Sequence, residues 1–182
     1  VVDSKSPYTS GHSERVALYT DMIAEALDLP MERRRWLKRG ALLHDVGKLG
    51  VSNSVLDKAG KLDISEWEEV KMHAAYTETI LSRVNAFSEL AKVAAAHHEK
   101  LDGSGYPRGL RASEILPEAQ VLAVADIVES MASYRPYRPA LGIAIALAEI
   151  QALSGTKLDA AIVDCCLRLF NQDQFQLPEH SN

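Results

Sequence analysis

The sequence predicts an all-α fold, a single compact helical bundle of about six to eight helices, and three observations predict it. Apolar residues recur at helical spacing over almost the whole length, and no segment shows the strict alternation of a half-buried strand. No internal repeat, linker or low-complexity tract divides the chain. With 182 residues, 47% of them hydrophobic and 25% charged, it is long enough to bury one real core.

The elements follow in order. From Ser10 to about Leu29, Val16, Ile23, Ala26 and Leu27 mark one face of a first helix. Met31 to Asp45 reads as a second, with Trp36, Leu37, Ala41 and Leu42 inward and a stop at Gly47. Gly50 to Asp63 is loop-like. Ser65-Glu66-Trp67-Glu68 reads as a capping box opening a helix through Val70, His73, Ala74, Thr77, Ile80 and Leu81. Ser88 is expected to cap the next helix, which carries Leu90, Val93, Ala94 and His97. Glycines and a proline make Leu101 to Ala112 irregular. Pro117 and Pro139 sit where first-turn prolines belong, each opening an apolar helix. A last helix spans about Asp159 to Phe170, with Leu167 and Leu169 expected in the core, before a polar end from Asn171.

Composition excludes several classes. Disorder needs fewer apolar residues, and a disulfide scaffold needs more than two cysteines. Cys165 and Cys166 are adjacent, where a bridge would be strained, so they read as buried reduced thiols of a cytoplasmic protein. The longest apolar stretch, Leu141 to Leu153, is too short to span a bilayer and contains Glu149. A net charge of −5 argues against binding duplex nucleic acid, and taken alone against an anionic substrate. The opening Val1-Val2-Asp3 has no initiating methionine, which suggests a module of a longer chain with an upstream sensory or receiver domain.

Five of the six histidines occupy suggestive positions: His12 near a helix start, His44 beside Asp45, His73 mid-helix, and the pair His97-His98. His180 lies in the tail without such context. A lone histidine on an apolar face is usually a satisfied core residue. Two doublets at helix ends do not fit that reading, because adjacent helical residues point roughly 100° apart and can grip a metal together only at a helix end or between helices. Imidazole and carboxylate without thiolate suit iron, manganese or zinc better than magnesium or calcium.

Here a resemblance becomes specific. His44-Asp45 followed by Gly47-Lys48 resembles the metal signature of the HD hydrolase superfamily. His97-His98-Glu99-Lys100-Leu101-Asp102-Gly103-Ser104-Gly105-Tyr106-Pro107 is similar to the extended signature of its HD-GYP branch. Ala125-Asp126 and Arg135-Pro136-Tyr137-Arg138 resemble that branch's later element, and Tyr8 to Val16 its opening helix. The resemblance implies a cytosolic phosphodiesterase that hydrolyses cyclic di-GMP to pGpG and in some members GMP. It implies two divalent metals, usually iron and sometimes manganese. One is expected on His12, His44 and Asp126, the second on His73, His97 and His98, with Asp45 bridging. A third metal is not expected, because Tyr8 stands where some members carry a glutamate, and Ser6 occupies a position acidic in many relatives.

A dinuclear centre would supply a bridging hydroxide to attack phosphorus in line, with Asp45 orienting it and Lys48 steadying phosphate charge. Read without the doublet beside it, Lys48 is a plain helix-end cation. Arg135 and Arg138 could present two guanidinium forks to the ligand. Tyr106 could contact ligand or pin its loop, while Gly103 and Gly105 supply backbone freedom. Glu99 and Asp102 could orient imidazoles from behind, although Asp102 could equally make a turn with Gly103.

The expected partners are cyclic di-GMP, a diguanylate cyclase domain and a second copy of the chain. Two other functions remain open: an HD-type hydrolase of cyclic GMP-AMP or a hyperphosphorylated guanosine, and a non-catalytic ligand- or cyclase-binding module. The loop Asp102 to Pro107 favours cyclic di-GMP, and the filled ligand positions disfavour a degenerate module.

Overall fold

A computed structural model gives the fold, and it describes residues 11–133 and 141–171. Eight α-helices occur among them: α1 (His12–Ala26), α2 (Met31–Leu43), α3 (Asn53–Leu56), α4 (Ile64–Leu81), α5 (Ser88–Ala95), α6 (Pro117–Ala132), α7 (Ile143–Leu153) and α8 (Ala160–Asn171). Short 3-10 turns cover Val46–Gly50, Asn85–Phe87 and Ala112–Glu114. No strand forms among the described residues, so the all-α expectation holds. None of the described helices is long and apolar enough to cross a membrane.

Helix α6 is the axis of the bundle. It runs against α1 and α7, and touches α2, α5 and α8. Val121, Leu122, Ala123, Val124, Ala125 and Val128 are all buried, so α6 is apolar nearly all round, as a fully enclosed helix must be. Pro117 occupies its first turn as the sequence predicts. The core continues through Val16, Ile23, Leu37, Val93, Ile150, Leu158, Ile162 and Val163. Cys165 and Cys166 lie buried and unbridged on its α8 side, with Leu167 and Leu169 packed against it.

Several boundaries differ from the sequence reading. Helix α4 is capped by Asp63, not Ser65: the Asp63 carboxylate accepts from Glu66 N at 2.9 Å, and Glu66 Oε2 accepts from Asp63 N at 2.7 Å. An aspartate three residues before Glu66 completes the box two residues earlier than Ser65 with Glu68 would. Ser88 makes no side-chain cap, because the turn Asn85–Phe87 already leads the chain into α5. That helix ends at Ala95, which leaves His97 and His98 in the turn beyond it.

Pro139 lies outside the described residues. Helix α7 begins at Ile143, after Gly142 at φ 88°. Leu42 is exposed and Gly40 buried in its place, since 37, 40, 41 and 44 share one face of α2. Ala26, at the last position of α1, is likewise exposed. A single turn, α3, forms within the expected loop Gly50 to Asp63.

Candidate metal centre and active-site cleft

Four helices deliver the polar residues. Helix α1 begins at His12, α2 ends into His44 and Asp45, α4 carries His73, and α6 carries Asp126. The turn after α5 adds His97 and His98. The α2 and α4 contributions are locked together by close packing. Gly47 has no room for a side chain, because a Cβ there would lie 1.8 Å from the His73 carbonyl oxygen. It is therefore needed for close approach, beyond the helix stop expected from sequence. Thr77 fastens the same joint: its hydroxyl accepts from Gly47 N and donates to the His44 carbonyl, both at 2.9 Å.

Three imidazoles repeat one arrangement. Nδ1 of His44, His73 and His97 lies 2.6 Å from the carbonyl oxygen three residues earlier, of Ala41, Val70 and Ala94. A carbonyl only accepts, so Nδ1 carries the proton and Nε2 keeps its lone pair. All three Nε2 atoms are buried without a hydrogen-bond partner. Three orphaned acceptors in one place are costly unless a cation takes them.

The carboxylates complete the cluster. Asp45 is 4% exposed, with Oδ2 at 3.4 Å from His44 Nε2 and 3.7 Å from His12 Nε2, while Oδ1 is 3.4 Å from His73 Nε2. One oxygen thus faces each side. Asp126 Oδ1 lies 3.4 Å from His12 Nε2 and 4.0 Å from His44 Nε2, and accepts from Ser130 Oγ. Ligand atoms of His12, His44 and Asp126 come within 4.8 Å of one another, as do those of His73, His97 and His98. A third such group, His44, Asp45 and His97, joins the two. This donor set fits a pair of divalent cations.

Electrostatics favour the ligating forms at several positions. Burial, reinforced by neighbouring imidazoles, holds His97 and His98 well below the ordinary histidine range. Burial also lowers His73, more than Asp45 raises it. Burial pushes the Asp45 carboxyl up, but Lys48, then His44, His73 and His12, bring it well below the usual range. Asp126 is likewise lowered: burial opposes ionisation, and His12, His44 and His97 prevail.

Lys48 Nζ sits 2.5 Å from Asp45 Oδ2, so it is paired with a carboxylate at the cleft rather than standing as a plain helix-end cation. Tyr106 stacks on His98, centroids 4.7 Å apart at 29°. Both line a cleft of about 160 Å³ with His12, Asp45, His73, Asp126 and Ser130. Arg135, Arg138, Ser6 and Tyr8 lie outside the described residues.

Of the two residues expected to orient imidazoles, Glu99 does not do so, and Asp102 follows the turn alternative. Glu99 spends its carboxylate on backbone amides: it is fully buried, and its two oxygens accept from Arg108 N and Leu110 N, holding the glycine-rich loop against the core. A loop without its own ladder needs such an acceptor for its buried amides. Asp102 makes the turn, accepting from Ser104 N and Oγ. Gly103 does adopt a positive φ of 80°, whereas Gly105 is there because a Cβ would meet Glu99 Cα at 2.4 Å.

Sequence reading missed Glu129. It is 1% exposed and binds His12 Nδ1, Arg15 Nε at 2.6 Å and Ser133 Oγ at 2.6 Å. Burial raises its pKa, but the His12 bond, then those from Ser133 and Arg15, draw it down to about 2. It was legible as an acidic residue three positions after Asp126 in the largely apolar run from Val121 to Ala132.

The HD domain family matches residues 1–162. This chain belongs to the HD domain family. Within that family the signature from His97 to Pro107 makes it an HD-GYP member. This HD-GYP chain is 51% identical, over its whole length, to 3'3'-cGAMP-specific phosphodiesterase 3 of Vibrio cholerae. It is 40% identical over 88% of its length to the cyclic di-GMP phosphodiesterase response regulator RpfG of Xanthomonas campestris, and 39% identical over 88% to a cyclic di-GMP phosphodiesterase of Thermotoga maritima. It spans 40% to 44% of the length of these three relatives.

The crystal structure of a cyclic GMP-AMP-specific phosphodiesterase of V. cholerae, V-cGAP3, matches 98% of this chain and 39% of its own at TM-score 0.59 and 46% identity. Bd1817, an HDGYP protein of Bdellovibrio bacteriovorus, shares the fold at TM-score 0.72 over 92% of this chain and 53% of its own, with 18% identity.

Proposed function

We propose that this chain is a metal-dependent phosphodiesterase acting on a cyclic dinucleotide. The observation that carries the reading is the buried cluster in which Asp45 turns one oxygen to His12 and His44 and the other to His73, while the Nε2 atoms of His44, His73 and His97 lack any partner. His12, His44 and Asp126 would hold one divalent cation, and His73, His97 and His98 a second, with Asp45 between them. When bound, such cations supply a water acidic enough to ionise near neutral pH and neutralise charge on the phosphate. Iron or manganese suits the imidazole and carboxylate donors.

The chain's own residues would do the rest. Asp45 fixes the spacing of the two sets, because its carboxylate cannot turn without breaking contacts on both sides. Lys48, at the cleft wall and 22% exposed, brings a cation to where a phosphate would enter. The acidic surface is no obstacle, since bound cations dominate their local field.

The substrate reading shifts from the sequence-based expectation. Identity of 51% over the whole chain to a 3'3'-cGAMP-specific enzyme supports 3'3'-cyclic GMP-AMP. Cyclic di-GMP is the second reading, favoured by the relatives at 40% and 39% identity. The test is incubation of the metal-loaded protein with each cyclic dinucleotide, with products followed by chromatography. We expect a linear dinucleotide from both, with the higher kcat/KM on 3'3'-cyclic GMP-AMP. The reverse order would favour cyclic di-GMP, and cleavage of neither would overturn the proposal.

A further inference from the structure

The cleft has an aromatic wall that extends beyond the HD-GYP signature. Trp67 lies on α4 three residues before Val70 and six before His73, and all three line the cleft. That spacing keeps them on one side of the helix, so a single face of α4 runs from the histidine cluster to the mouth. The indole meets the Tyr106 ring nearly at right angles, centroids 6.5 Å apart at 79°, and Tyr106 stacks in turn on His98. A continuous row of rings therefore leads from the candidate metal centre to solvent.

Trp67 ends this row 47% exposed. A large apolar ring left half in water beside charged groups gains by being covered, and the flat face of a nucleobase is a suitable cover. Tyr106 is less available, because His98 already occupies one of its faces. The remaining walls are imidazoles, carboxylates, Lys48, Val70 and Ser130, none of which offers a comparable platform.

We propose that Trp67 is a substrate-binding residue that stacks on a nucleobase flanking the phosphate held over the histidine and aspartate cluster. This rests on the cyclic dinucleotide reading above. Every base has a π-face, so the platform adds affinity without distinguishing guanine from adenine. Selection between the two cyclic dinucleotides must then come from hydrogen bonds made elsewhere.

Calorimetric titration of the manganese-loaded protein with GMP, AMP and ribose 5-phosphate tests this, since the sugar phosphate differs from the nucleotides in lacking a base. We expect both nucleotides to bind about tenfold more tightly than ribose 5-phosphate, the scale of one base-aromatic stack. Trp67→Ala should abolish most of that difference and Trp67→Phe should restore most of it. With the cyclic dinucleotides, Trp67→Ala should raise KM more than it lowers kcat, and by a similar factor for both.

A base-dependent gap that survives in Trp67→Ala, or no gap in the wild type, would overturn the assignment. If the gap behaves as expected but neither cyclic dinucleotide is cleaved, the substrate reading fails and the platform stands. If a cyclic dinucleotide is cleaved with the same KM by wild type and Trp67→Ala, the platform fails alone.

Discussion

Glu129 binds Nδ1 of His12 from a site that is almost wholly buried, and this bond sets which nitrogen of His12 faces Asp126 and Asp45. His44, His73 and His97 lean on backbone carbonyls, so of these four imidazoles only His12 depends on a replaceable side chain. Because His12 opens α1 and Glu129 sits on α6, the bond also couples the ligand set to the core helix.

Glu129→Ala should therefore weaken metal binding about 10- to 100-fold, the usual effect of losing a carboxylate behind a ligating histidine. Titration of the metal-free variant with manganese measures this. Glu129→Gln should recover part of the affinity, since an amide oxygen can still accept from Nδ1. Equal affinity in wild type and Glu129→Ala would show that His12 needs no such support.

Gly47→Ala should destabilise the fold by several kcal/mol, because a Cβ at 1.8 Å from the His73 carbonyl forces α4 away from the turn that carries Asp45. Thermal unfolding of metal-free protein should show the loss. A melting temperature within a degree or so of wild type would mean that the joint is looser than the packing implies.

Much of the candidate site was legible because its residues stand in short, dense motifs: His44-Asp45, His97-His98 and Ala125-Asp126. What the sequence obscured were partnerships across the chain. Thr77 looked like one more inward residue of α4, yet it binds two backbone groups of the segment His44 to Gly47. Glu99 was placed behind an imidazole by proximity, but the buried amides of Arg108 and Leu110 claimed it. The Asp63 cap was overlooked because Ser65 offered a competing match two residues later. Trp67 was read only as part of that match, since a helix's period does not reveal which exposed face borders a cleft.

The pH dependence of metal-free stability has a defined sign. His73, His97 and His98 are held below their ordinary value by burial, so the unfolded chain takes up protons at these sites first as pH falls. Each adds a contribution that is lost as pH drops through the ordinary histidine value of about 6.5. His12 works the other way: burial lowers its pKa, but Glu129 and the aspartates raise it overall. Three against one, urea unfolding should show stability decreasing between roughly pH 7.5 and 5.5. A flat or rising profile would contradict the account.

Lys48→Met should lower kcat by about 10²-fold or more on a cyclic dinucleotide, as expected when a charge-stabilising group is removed from a reacting phosphate. Metal content, read by mass spectrometry, should stay near that of wild type. Loss of metal together with activity would instead assign Lys48 to holding Asp45 in place.

The most direct test of the dinuclear reading is a metal count on anaerobically purified protein, wild type against Asp45→Ala, with cyclic dinucleotide turnover followed on the same samples. The account predicts about two iron or manganese ions per wild-type chain with turnover, and loss of both metal and turnover in the variant. A wild-type chain carrying only traces of metal, or an Asp45→Ala protein that keeps both ions and its activity, would contradict it.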